Sequence, residues 1–101
     1  MRAANVNRNN LVGAIDYGIA ECVTRMKAAE DSGSSFLIRD LHAGLMALRN
    51  IKSEIESGIM RPRGRRSCGF FRHVIDEEAT MEIDSALRDL IIAIERAYES
   101  W

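Results

Sequence analysis

A chain of 101 residues with 47% hydrophobic and 29% charged side chains is one domain's worth of protein with its own core, not a disordered tail. Its net charge of −1 and pI of about 6.1 argue against a dedicated nucleic-acid binder, which is usually basic throughout. No apolar run nears the ~18 residues a membrane span needs and the N-terminal MRAANVNRNN carries no signal-peptide core, so a cytoplasmic, single-domain protein over residues 1–101 without a membrane partner is expected.

The first element is a helix near residues 10–30. Val12, Ile15, Ile19, Cys22 and Met26 recur at spacings of three and four, one face of a helix. Asn9 or Asn10 is placed to cap its start, and Gly33 in EDSGSS to end it. The second helix spans 35–57, with Leu37, Leu41, Leu45, Leu48, Ile51 and Ile55 on one face and Gly58 in the stop position. The short connection makes the pair antiparallel. Gly13, Gly18 and Gly44 lie inside these patterns and suggest close approach to neighbouring helices.

A third helix is expected near 72–99, with a break near Thr80, which can cap a second start. Val74, Ile75, Ala79, Ile83, Leu87, Leu90, Ile94, Ala97 and Trp101 fall near one face. The fold class is therefore all-α, an antiparallel bundle of three long helices. Leu90, Ile91 and Ile92 are consecutive, so the apolar surface is wide for a three-helix monomer. That width predicts a homodimer with Leu90, Ile91, Ile94 and Tyr98 at its interface.

Between the second and third helices runs GIMRPRGRRSCGFFRH, with five arginines and no acid in residues 58–73. The residues that follow, 74–101, carry two basic and eight acidic groups. Pro62 and Gly64 keep the stretch from continuing the helix, so residues 58–72 form a basic loop. Guanidinium is a planar fork suited to carboxylate or phosphate. Arg61, Arg63, Arg65, Arg66 and Arg72 are the candidate binding residues, facing solvent, the acidic start of the third helix, or phosphates.

Catalytic signals are thin. His42 sits on a helix, but Leu45 and Met46 stand where phospho-accepting histidine domains carry a basic residue and a glycine. Cys22, His42, Cys68 and His73 have no metal-ligand spacing. Two cysteines make no disulfide framework. No P-loop, GxGxxG or nucleophile elbow occurs. No enzyme activity, cofactor or metal is expected. The expected function is a helical protein-interaction or regulatory module for a partner with an acidic face. A nucleic-acid-binding regulator, with Phe70 and Phe71 stacking on bases, is the alternative.

Overall fold

Two helices of similar length begin the fold, α1 over Leu11–Ser32 and α2 over Ser35–Ser57, in a computed structural model that describes residues 6–101. The first five residues of the proposed domain lie outside the described residues. Gly33 and Gly58 close the two helices at φ of 74° and 72°, the left-handed region where a side chain would be strained. Gly33 N–H donates to the Ala29 carbonyl at 2.9 Å. Only Gly33 and Ser34 connect the helices, so they pack as an antiparallel hairpin.

α2 buries its expected face through Leu41, Leu45, Leu48 and Ile51, with Leu37 and Ile55 half-buried at its ends. On α1 the stripe is rotated slightly. Leu11, Ile15 and Cys22 are buried, whereas Val12 is exposed. Asn10 stands at the N-cap; its carbonyl accepts from Ala14 N–H at 2.9 Å, and its side chain accepts from the Asn7 amide.

The third helix is not continuous. α3 covers only Phe70–Asp76, a 3-10 turn follows at Glu78–Thr80, and α4 runs over Ser85–Glu99. The break spans residues 77–84, around Thr80, but the cap is Asp84, whose carboxylate accepts from Leu87 N–H at 3.2 Å. Thr80 instead receives Arg39 on its hydroxyl. The basic segment also differs from a plain loop. It contains a 3-10 turn at Arg63–Arg65 and ends at Gly69, so Arg72 belongs to α3. All regular structure among the described residues is helical.

The expected dimer face is a core face. Leu90, Ile91, Ile94 and Tyr98 are at most 5% exposed within the single chain. α4 packs on α1, α2 and α3 together, and a helix wedged among three neighbours needs an apolar surface wider than one stripe. The width that suggested a second copy is filled from inside. Gly44 shows how tightly: a Cβ there would stand 2.7 Å from Ile91 Cδ1 and 3.3 Å from Phe70 Cε1. Gly18 similarly faces Leu48, whereas Gly13 meets nothing within 4 Å. No described helix is long and apolar enough to cross a membrane.

Candidate functional site

The arginines of residues 61–72 divide into those the fold uses and those it leaves out. Arg61 grips Glu54, at the end of α2, through Nε and Nη2 at 2.9 Å each. Its other contacts are the Ser67 carbonyl and, at 3.3 Å, the Cys68 sulfur. Glu54 is held below the usual carboxylate range, first by this bidentate bond. Arg66 is buried; its Nε donates to the Arg61 carbonyl at 2.7 Å and its Nη1 to the Tyr98 carbonyl at 3.2 Å. Its guanidinium also lies over the Tyr98 ring. Arg63 donates twice to the Trp101 carbonyl. Arg63 and Arg66 thus place positive charge at the C-terminal end of α4, the negative end of its dipole.

The other two behave differently. Arg65 is exposed; its amide donates to the Pro62 carbonyl at 2.8 Å, but its guanidinium has no hydrogen bond or ion pair among the described residues. The Arg72 side chain is 85% exposed, with a single contact to Asp76 at 3.6 Å. Of the five, only Arg72 reaches residues 76–84, through this exposed contact with Asp76 one turn along its own helix. The acids there have other partners: Glu77 pairs with Arg39, Asp84 with Arg25, and Glu82 accepts from the Ser34 hydroxyl.

Two buried carboxylates hold α3 in place. Asp40 Oδ2 accepts from the amides of Glu82 and Ile83, at 2.7 and 3.3 Å. Its Oδ1 accepts from Arg39 and, at 2.9 Å, from His73 Nε2–H. Burial pushes the Asp40 carboxyl up, but the Glu82 amide, His73 and Arg39 together outweigh it and keep it below the usual range. An ionised Asp40 requires a proton on His73 Nε2. This is the orienting half of a nucleophile–histidine–acid arrangement, yet the carboxylate spends its acceptor positions tying α2 to α3 and to the segment before α4. Glu95 of α4 is buried and accepts from the amides of Phe70 and Phe71, at 3.1 and 3.2 Å. It caps α3 from outside. Burial pushes its carboxyl up despite those two bonds.

The cysteines are both free thiols. Burial pushes Cys22 up to about 11, and burial also raises Cys68 against the lowering effect of Arg61. Among the described residues no group of three His, Cys, Asp or Glu converges to hold a metal ion.

No protein-family model, curated protein or solved structure matches this chain.

Exposed apolar side chains occur on α1 and α2, at Val12, Tyr17, Phe36 and Met46, and again over residues 59–76. Ile59, Phe71 and Ile75 are exposed apolar side chains, and Arg65 and Arg72 are exposed cations beside them in sequence. Sequence reasoning singled out all five arginines alike, and missed Asp40 and Glu95. Both had a signal: Asp40 sits between Leu37 and Gly44 on the α2 stripe, and Glu95 follows Leu87 and Ile91 at fours. A carboxylate at a core position of a helix implies a buried acceptor.

Proposed function

We infer that this chain is a small non-enzymatic interaction module that docks a protein partner with an acidic face through residues 59–76. One observation carries the reading. Arg61, Arg63 and Arg66 fasten the segment to the ends of α2 and α4, and on that fixed frame Arg65 and Arg72 are left to solvent beside exposed apolar side chains. Arginine and aromatic residues held in place are what interface hot spots are made of.

The nucleic-acid alternative loses support from the same division. Five phosphate contacts would give a log–log salt slope of about −4.5, but two free arginines give only about −1.8. Phe70 is buried against Gly44 and offers no stacking face. Homodimerisation loses its original argument, because the α4 stripe is occupied within the chain.

The test pairs two measurements. Arg65→Glu/Arg72→Glu should keep the wild-type helix content and lose a protein that the wild type captures from its native host and then binds directly after purification. Labelled DNA and RNA titrated at low and moderate salt should bind weakly with a shallow slope. Tight binding with a steep slope would move the function to nucleic acid.

A further inference from the structure

α3 and α4 meet at the surface through a cation and a ring. The Arg96 guanidinium of α4 lies over Phe71 of α3, 5.4 Å from the ring centroid. Both side chains are exposed, Phe71 by 42%. Ile75 follows Phe71 by four residues and Arg72 by three, so the three are neighbours on the outer side of α3. Ile75 is 58% exposed. Phe71, Arg72 and Ile75 thus share a strip of the outer side of α3, and Arg96 of α4 joins it over the Phe71 ring.

The fold consumes neither cation. The Arg96 side chain makes no ion pair and donates no hydrogen bond among the described residues; its guanidinium meets the ring of Phe71. Arg72 has only the 3.6 Å contact with the equally exposed Asp76, and exposed pairs of that kind are weak in water. The strip is also rigidly placed. Glu95 holds the amides of Phe70 and Phe71, and Asp40 holds His73.

We propose that this strip is a docking site for a carboxylate-bearing protein segment. The segment lays an apolar side chain between Phe71 and Ile75 and sets Asp or Glu against Arg72 and Arg96. Charge complementarity selects this occupant. In the acidic stretch of a second copy Glu77, Glu82 and Asp84 already have partners in Arg39, Ser34 and Arg25, whereas Asp76 and Glu78 are exposed, so self-association is read out separately in the test. The proposal rests on the interaction-module reading and relocates its centre from the arginine loop to the α3–α4 surface.

Short random peptides displayed on phage and selected on the full chain test it, with enriched peptides then labelled and titrated by fluorescence anisotropy. Enriched peptides should carry Asp or Glu around a Leu, Ile or aromatic residue. Their affinity should fall about tenfold or more in Arg72→Glu/Arg96→Glu and, separately, in Ile75→Ser, with wild-type circular dichroism in both variants. Peptides without acidic bias, or affinity unchanged in these variants, overturn it. So does competition by a single-stranded oligonucleotide that the charge reversals abolish, which would make the strip a nucleic-acid site. Self-association lost in the same variants would make it a face for a second copy, and also overturns it. If acid-rich peptides bind but depend on Arg65 instead, the strip falls and the interaction module stands. If no acidic peptide binds at all, both fall.

Discussion

Asp40 and Glu95 are both buried carboxylates, and their protonation works in opposite directions. Asp40 is held below its ordinary value of 3.8, so its contribution to stability is present above that value and is lost as pH falls through the lower folded value. Glu95 is raised above its ordinary value of 4.5 by burial. Its contribution is greatest below 4.5 and is lost as pH rises through the raised folded value. The difference in unfolding free energy between wild type and Asp40→Asn should therefore grow as pH rises towards 3.8 and level off above it. The difference between wild type and Glu95→Gln should shrink above about 4.5. Urea denaturation across that range reads both slopes. At neutral pH Asp40→Asn should cost about 3 kcal/mol, because Arg39 loses its counter-charge and the Glu82 and Ile83 amides lose a charged acceptor.

At the scale of elements, α3 owes its position to what surrounds it. Seven residues with a glycine at the start are too short to be a stable helix alone. Phe70 fills the space over Gly44, Glu95 takes the free amides and Asp40 takes His73. Gly44→Ala would drive a methyl into Ile91 and Phe70, both pinned in the core, and should cost about 1–3 kcal/mol. Gly13 lies in open space on α1, so Gly13→Ala should instead stabilise the chain by up to about 1 kcal/mol through helix propensity. Denaturation midpoints of the two variants should thus move in opposite directions. Equal shifts would mean that Ile91 of α4 and Phe70 of α3 do not close over Gly44.

The whole molecule exposes 6050 Å², close to the about 5,700 Å² that scaling gives for a folded monomer of 11.3 kDa. Its radius of gyration is 13.1 Å, again ordinary for this length. The wide apolar surface of α4 is satisfied within that envelope. Ile91→Glu consequently places a carboxylate in the single-chain core beside Gly44, not on an interface. It should abolish the cooperative helical transition at every protein concentration, as followed by circular dichroism. Retained helix content with a change of mass in light scattering would show Ile91 to be an interface residue.

The helical class, the bounds of α1 and α2, their antiparallel pairing and a break near Thr80 were legible because each depends on neighbours in sequence, three-and-four spacing and a glycine past the last turn. The expected side-chain caps were not, since the side chains of Asn10 and Ser34 make no cap bond and Asp84 takes the place given to Thr80. The arginine segment was legible as chemistry for the same reason. What its arginines do was not, since an arginine reads alike whether it meets Glu54, a helix-end carbonyl or water. Only packing decided that Arg61, Arg63 and Arg66 are fasteners while Arg65 and Arg72 stay free. Tertiary structure also turned the apolar breadth of α4 into a core wedged among three helices. It brought Arg96 onto Phe71, a meeting of residues 25 positions apart that no local pattern encodes, because it depends on α3 packing against α4, where Glu95 holds the Phe70 and Phe71 amides.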